Sequence, residues 1–206
     1  MQFVLASQSP ARLGILRAAG IEPVVQVSGV DEDAVAAALG PDAEPEHVVV
    51  TLAEAKARAV AAAHVDAVVV GCDSMLAHNG ELVGKPGTVE RARERWARMA
   101  GSQGVLLTGH AVLRVRDGNI DAGDALATGT VATTIRFGRP SEHELEAYLA
   151  TGEPLDVAGA FTLDGYGGWF VDGIDGDSSS VVGISLPLTR RLLGEVGVSV
   201  VDLWRR

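Results

Sequence analysis

Apolar and polar residues alternate along the chain in a pattern that predicts strands and helices in turn. Short apolar runs indicate strands, and apolar stripes that recur every three or four residues indicate helices. The predicted strands are 3–5, 24–27, 67–70, 105–116 (interrupted at 108–110) and 128–137. The predicted helices are 10–20, 34–39, 46–64, 88–100, 141–150 and 187–194. This alternation predicts an α/β fold with a mixed sheet and flanking helices.

The most informative stretch is the apolar run 67–70 and the residues that follow it. A short, unbroken apolar run is typical of a strand buried on both faces, and we expect this strand to end before Asp73. Asn79-Gly80 favours a type I′ turn that folds the chain back and brings Lys85 towards Asp73. An acid and a base so placed can hold a metal, accept a proton or bind phosphate. A surface hairpin with solvated charges is the simpler alternative.

A second candidate site lies where the first strand passes into the first helix. Ser9 fits an N-cap and Pro10 fits the first helical position. Helix N-termini bind anions through free N–H groups and the helix dipole, and Ser7, Ser9 and Arg12 add further donors. A cation in the first turn opposes the dipole, which suggests that Arg12 serves a ligand. The alternative is an ordinary capped helix with a solvated arginine.

Two charged residues stand out farther along. Glu32 follows a predicted strand in an acidic segment, where it can bind a metal or simply begin a helix. Lys56 falls on the apolar stripe of helix 46–64, between Leu52 and Val60. A lysine there either extends its ammonium to solvent or pairs with an anion such as phosphate.

Other charged or glycine-rich features have simpler interpretations. The arginines of helix 88–100 are expected to form a solvated face, and His110 to be structural. Ser141 and Glu144 match a capping box. The glycine-rich segment 161–177 is expected to form a glycine-hinged hairpin plus a loop, since it matches neither a P-loop nor a dinucleotide fingerprint.

Length, composition and charge limit the possible domain organisation, partners and location of the protein. The chain has 206 residues, 47% hydrophobic and only 4% aromatic, so we expect one domain, 1–206, with a core of aliphatic residues. A net charge of −10 argues against nucleic-acid partners and anionic membranes. A single cysteine, Cys72, no leader and no apolar run near the ~20 residues that span a bilayer predict a cytoplasmic protein.

The charged and serine residues singled out above all suit the binding of phosphate or of a metal ion. Three cations (Arg12, Lys56, Lys85), two acids (Glu32, Asp73) and a serine-lined helix N-terminus suit a triphosphate with bound Mg²⁺ better than a neutral substrate. No Ser–His–acid set or metal-spaced Cys/His cluster competes with this interpretation.

The same residues carry a resemblance to a known family that extends over nearly the whole chain. The matching segments are Leu5-Ala-Ser-Gln-Ser-Pro-Ala-Arg12, Ala53-Glu-Ala-Lys-Ala57, Gly71-Cys-Asp-Ser74, Gly84-Lys-Pro86 and the Tyr-x-x-x-Gly-Glu-Pro-x-x-x-Ala-Gly-Ala of 148–160. The chain resembles the Maf nucleoside triphosphate pyrophosphatases, also associated with inhibition of septum formation, and is most similar to the actinobacterial branch. The resemblance implies their fold, related to inosine triphosphate pyrophosphatases, with two lobes around a central cleft.

The resemblance also implies residue roles. Asp73 would be the proton acceptor and a metal contact, and Glu32 would contact the same Mg²⁺ or Mn²⁺. Lys56 and Lys85 would hold phosphates, and Ser7, Ser9 and Arg12 would form the phosphate nest. The implied reaction cleaves a nucleoside triphosphate to a monophosphate and pyrophosphate, in a chain that can be a monomer or a homodimer.

Three departures from the family pattern leave base preference open. Ala11 replaces an arginine, Ser74 a threonine, and Asp164 a glutamine at positions that shape base selection in the family. One alternative function is a nucleotide-binding regulator of cell division with little turnover. Another is a phosphatase that releases the terminal phosphate.

Overall fold

The computed structural model describes residues 1–120 and 125–205. Strands and helices follow in the order β1 (Gln2–Leu5), α1 (Pro10–Ala18), β2 (Val24–Val25), α2 (Glu32–Leu39), α3 (Pro45–Ala61), β3 (Ala67–His78), β4 (Glu81–Val83), α4 (Val89–Met99), β5 (Gln103–Val115), β6 (Leu126–Phe137), α5 (Glu142–Ala150), β7 (Val171–Asp175), α6 (Ser178–Val182) and α7 (Leu186–Glu195). Short 3₁₀ turns occupy Glu153–Asp156, Ala158–Ala160, Tyr166–Phe170 and Val200–Leu203. Within the described residues, none of these helices combines the length and apolarity that crossing a membrane requires.

In the described part of the chain the strands form one seven-stranded sheet, in the order β2-β1-β3-β5-β6-β7 with β4 paired to β3. β1 runs parallel to β2 and β3, whereas β4 is antiparallel to β3 and β7 to β6. The predicted mixed α/β fold is therefore confirmed.

The chain divides into two compact units. The first contains Met1–Asp73, Thr108–Val131 and Gly183–Arg206, and the second contains Ser74–Leu107 and Ala132–Val182. The single domain 1–206 stays a prediction.

Aliphatic residues form the core of the first unit. Phe3, Leu5, Val68 and Val70 belong to a cluster that includes residues of α1 and α7. The alternate positions on β1 and β3 belong to a second cluster that includes residues of α3. Because side chains alternate across a strand, β3 is buried on both faces here, as its apolar run predicted.

The core of the second unit combines aliphatic residues with a cluster of aromatic rings, whereas an aliphatic core was expected throughout. Trp96 contacts Phe137, Tyr148 and Phe170 edge to face, with ring centroids 5.9, 6.1 and 6.0 Å apart. Most of the few aromatic side chains of this chain therefore concentrate in one cluster, where they bury a large area per residue.

The prediction that a strand ends just before Asp73 is wrong. β3 continues for 12 residues to His78, so Asp73 lies inside it. Backbone pairing does not require apolar side chains, so a polar residue does not end a strand. The predicted interruption of β5 at 108–110 is wrong for the same reason.

The turn after β3 is confirmed, with positive φ at Asn79 (50°) and Gly80 (79°), as a type I′ turn requires. The hairpin predicted within 161–177 is wrong, whereas the loop predicted beside it is present. Most of that segment forms an irregular loop and a 3₁₀ turn, and β7 pairs with β6 instead.

Candidate functional site

The site in the first unit depends on an unusually close contact between β3 and α3. A Cβ atom at Gly71 would lie 2.1 Å from the carbonyl oxygen of Ala53 and 3.0 Å from the nitrogen of Ala57. Only glycine permits this approach. It brings the side chain of Lys56 on α3 against that of Asp73 on β3.

Lys56 joins two acids from different elements. Its Nζ lies 2.6 Å from Oδ1 of Asp73 and 2.8 Å from Oε1 of Glu32. The side chains of Lys56 and Asp73 are 9% and 8% exposed, whereas that of Glu32 is 47% exposed. Lys56 therefore neither extends freely to solvent nor is buried alone, because its ammonium is shared between two carboxylates.

Glu32 reaches this position from the first turn of α2. Asp31 caps that helix by accepting a hydrogen bond from the backbone N–H of Ala34 at 3.0 Å. Acidic residues favour a helix N-terminus through the dipole, so the local interpretation of Glu32 as a helix-start residue is confirmed. The same residue also contacts Lys56, and its role as a metal ligand stays a prediction.

Burial and charge act in opposite directions on Asp73. Burial raises its pKa above the ordinary 3.8, while the adjacent ammonium of Lys56 and, more weakly, Arg12 oppose the rise. Its Oδ2 is buried and has no hydrogen-bond partner among the described residues. Such an oxygen remains available to a proton or a ligand.

The neighbouring Cys72 differs from Asp73 in its protonation state. Burial raises the pKa of its thiol to about 11. The thiol is therefore protonated at neutral pH and does not act as a nucleophile.

The donor set fits a divalent metal that is held partly by its substrate. Asp73 supplies a buried carboxylate oxygen and Glu32 a half-exposed carboxylate, and Mg²⁺ prefers such oxygen ligands. Within the described residues no group of three His, Cys, Asp or Glu side chains is arranged to hold a metal alone. Mg²⁺ commonly takes one or two carboxylates together with substrate phosphates, and this site matches that mode.

The side chains of Ser7, Ser9 and Arg12 lie close together at the start of α1. Ser9 caps α1 by accepting from the N–H of Arg12 at 3.3 Å, and Pro10 occupies its first position. The Nη1 of Arg12 donates to Oγ of Ser7 at 3.1 Å, and its Nε donates to the carbonyl of Gly183 at 2.8 Å. The guanidinium is therefore fixed over the strand-to-helix turn.

The remaining predicted site residues belong to the second unit. Ser74 is half-buried on β3, Lys85 is exposed after β4, and Asp164 is exposed in the loop before the 3₁₀ turn Tyr166–Phe170. The predicted proximity of Lys85 to Asp73 stays a prediction.

Sequence reasoning missed Glu153, which anchors the glycine-rich loop of the second unit. Its carboxylate accepts from Oγ1 of Thr162 at 2.5 Å and from the N–H groups of Tyr166 and Gly167 at 3.0 and 2.9 Å. Burial alone would raise the pKa of Glu153, but these hydrogen bonds lower it. The signal in the sequence is an acid between Gly152 and Pro154, immediately after a helix.

Arg95 contradicts the expectation that the arginines of α4 are simply solvated. It is partly buried and donates to the carbonyl groups of Gly84 and Lys85. His110 is structural as expected: it is buried, its Nδ1 lies 3.0 Å from the carbonyl of Thr108, and its Nε2 accepts from the N–H of Ser185 at 2.8 Å.

Comparison with known proteins identifies the family of this chain. A model of the family described as "Maf-like protein" matches residues 2–196. A protein of Nocardia farcinica named "Nucleoside triphosphate pyrophosphatase" is 66% identical, with 98% of this chain and 96% of the relative covered. Relatives of the same name from Saccharopolyspora erythraea and Mycolicibacterium gilvum are 64% and 57% identical, covering 99% and 100% of this chain and 97% and 99% of the relatives.

These sources are actinobacterial, as the resemblance implied. The match extends over nearly the full length of both chains. The chain belongs to the Maf-like protein family.

Proposed function

We propose that this chain is a nucleoside triphosphate pyrophosphatase, a hydrolase that cleaves nucleoside triphosphates to a monophosphate and pyrophosphate. The observation that carries the proposal is the buried contact between Lys56 and Asp73, in which one carboxylate oxygen of Asp73 keeps no partner among the described residues. Relatives named "Nucleoside triphosphate pyrophosphatase" are 56–66% identical over almost the whole chain.

Asp73 is the proposed proton acceptor. Water that attacks the α-phosphorus must lose a proton as the new P–O bond forms and the bridging P–O bond breaks. A base is most effective when its pKa lies nearer the working pH than that of an ordinary aspartate, and burial shifts the pKa of Asp73 in that direction. Its free oxygen Oδ2 is the atom that takes the proton.

Lys56 and the turn before α1 are the proposed phosphate-binding groups of the first unit. An ammonium has three donors, and among the described residues Glu32 and Asp73 use two of those on Lys56. The third can reach a phosphate oxygen while the cluster stays intact. Ser7, Ser9 and Arg12 offer an anion site at a helix N-terminus, where the dipole favours negative charge.

Lys85 and a divalent metal complete the proposed machinery. Lys85 is the proposed phosphate ligand of the second unit, and its exposed ammonium is accessible to a phosphate from solvent. Asp73 and Glu32 are the residues that would hold Mg²⁺ or Mn²⁺, which would neutralise charge on the phosphates.

Ser74 and Asp164 are proposed to contact the nucleotide, and they leave open which canonical or modified base is preferred. We also propose the cytoplasm as the place of action, because the lone Cys72 suits a reducing compartment. A homodimer remains a prediction.

Product analysis with Mg²⁺ and with Mn²⁺, across canonical and modified nucleoside triphosphates, tests the proposal. Monophosphate and pyrophosphate should appear in equal amounts. Asp73→Asn should reduce their formation by about 10²- to 10⁴-fold, the usual contribution of a general base. Asp42→Asn makes the same chemical change at an exposed site and should leave the rate unchanged.

Other products would reject the mechanism in distinct ways. Diphosphate with inorganic phosphate would move the cut to the terminal bond. Tight nucleotide binding without turnover would favour the regulatory alternative.

A further inference from the structure

The segment that carries Lys85 is held by its backbone. The carbonyl of Gly84 accepts from Nη1 of Arg95 and from the N–H of Gly159 at 3.2 Å. The carbonyl of Lys85 lies 3.5 Å from Nη2 of the same guanidinium. The N–H of Gly87 donates to the carbonyl of Leu155 at 3.0 Å. The backbone is therefore held on both sides of Lys85, while the lysine side chain itself is exposed.

Arg95 differs from the other arginines of α4 in what it contacts. Arg93 and Arg98 are exposed and pair with Glu146 and Glu81. Arg95 is partly buried and directs its two terminal nitrogens to consecutive carbonyl groups. The planar guanidinium presents donors in a fixed fork, which matches two adjacent acceptors in a way that a lysine ammonium does not.

The next residue of α4 supports the other side of the same segment. Trp96 donates from Nε1 to the carbonyl of Ala160 at 2.8 Å. This contact holds the 3₁₀ turn Ala158–Ala160, whose Gly159 binds Gly84. Gly159 has a φ of 73°, and a Cβ there would lie 2.9 Å from the side chain of Leu76. Glycine is therefore favoured at this position. Hydrogen bonds join α4, this turn and the segment that carries Lys85.

We infer that Arg95 is a positioning residue for Lys85: by bridging the carbonyls of Gly84 and Lys85, it fixes the direction in which the lysine meets a substrate phosphate. The inference rests on the proposed function, in which Lys85 binds phosphate. Arg95 itself acts through the backbone of Lys85. Small displacements of a binding group have large kinetic effects, since about 1 Å can change a rate by about 10²-fold.

The test compares Arg95→Gln and Arg95→Lys in two backgrounds, wild type and Lys85→Ala. We measure kcat and KM for release of pyrophosphate, and the affinity for α,β-methylene analogues of ATP, GTP, CTP and UTP by calorimetry. In the wild-type background both variants should lower kcat/KM about 10- to 100-fold. In the Lys85→Ala background they should change it by no more than about twofold, because the positioned group is gone.

Arg98→Gln is the matched control, because it removes an exposed arginine of the same helix. It should leave kcat/KM within about twofold of wild type. Thermal unfolding distinguishes a folding defect from a positioning defect. If Arg95→Gln does not fold, Arg95→Lys preserves the charge and removes only the fork.

Equal losses in both backgrounds would overturn the inference, because Arg95 would then act independently of Lys85. No loss in Arg95→Gln, or an equal loss in Arg98→Gln, would also overturn it. If the wild type binds the analogues without releasing pyrophosphate, the proposed activity is wrong, but the affinity comparison still tests Arg95. A wild type that neither binds nor hydrolyses any of the canonical and modified nucleoside triphosphates rejects both proposals.

Discussion

The two units hold their site lysines in opposite ways. In the first, Lys56 is buried among aliphatic residues, and its ammonium is fixed by the carboxylates of Asp73 and Glu32. In the second, Lys85 is exposed, and hydrogen bonds from Arg95 and Gly159 fix its backbone segment. One lysine is positioned through its charge and the other through its main chain.

Because the two lysines are held differently, their substitution should affect the stability of the fold differently. A buried ammonium and the carboxylate it contacts stabilise each other, so removing either exposes the remaining one to an apolar surrounding. An exposed ammonium has little effect on folding. We therefore expect substitutions around Lys56 to affect both folding and turnover, whereas substitution of Lys85 should affect turnover alone.

Replacement of Lys56 by methionine is expected to have the largest effect on stability. It leaves the buried carboxylate of Asp73 without its cation, and breaking a buried pair costs about 3–5 kcal/mol. Urea denaturation at pH 7 measures this loss. Lys85→Met is the matched control and should change the free energy of unfolding by less than about 0.5 kcal/mol.

The same variant has an expected pH dependence. Without Lys56, burial raises the pKa of Asp73 further, so the folded state holds its proton more tightly than the unfolded state. The folded variant is then most stable below the unfolded pKa near 3.8, and it loses stability as pH rises through the folded pKa. A deficit that is independent of pH would show that the buried carboxylate is not its cause.

The second comparison concerns two glycines of the first unit. At Gly71→Ala the new Cβ would overlap the carbonyl of Ala53, so α3 must move away from β3. Overpacking of this kind costs about 1–3 kcal/mol, and it should also reduce turnover by separating Lys56 from Asp73.

Gly194→Ala on α7 is the control, because a Cβ there meets nothing within 4 Å. Thermal unfolding and pyrophosphate release should both remain near wild type. A stable and active Gly71→Ala protein would show that the close contact between α3 and β3 is not what brings Lys56 to Asp73.

The local patterns were sufficient for much of the fold. Caps at Ser9 and Ser141, the turn at Asn79-Gly80 and the apolar run 67–70 depend on neighbouring residues, and each has the predicted conformation. These features are set within a few residues, so a single sequence contains them.

Long-range contacts could not be predicted in the same way. The placement of Lys56 on an apolar stripe indicated that it needs a partner, but only the fold identifies Asp73 and Glu32 as that partner. Arg95 was misjudged because helical spacing gives the face of a residue and not the loop that covers it. The strand end before Asp73 was misjudged because side-chain polarity does not determine backbone pairing.

Glu153 offers the smallest expected effect and tests how the second unit holds its glycine-rich loop. Glu153→Gln keeps the size of the side chain. It removes the negative charge from the carboxylate, whose two oxygens accept hydrogen bonds from Thr162, Tyr166 and Gly167. Because the carboxylate is only partly buried, we expect a loss of about 1 kcal/mol in the free energy of unfolding at pH 7. Glu94→Gln, an exposed position on α4, should show no comparable loss.

The pH dependence of that difference has the opposite sign to the one expected for Lys56→Met. The pKa of Glu153 is lowered in the folded state, so its contribution is complete above the ordinary value of 4.5 and disappears as pH falls through the folded pKa. Wild type and Glu153→Gln should therefore converge in stability in acid, as measured by urea denaturation between pH 7 and pH 3. If the two stay equally far apart across that range, the anchoring of the loop does not depend on the ionised carboxylate, and neutral hydrogen bonds hold Thr162 and Gly167.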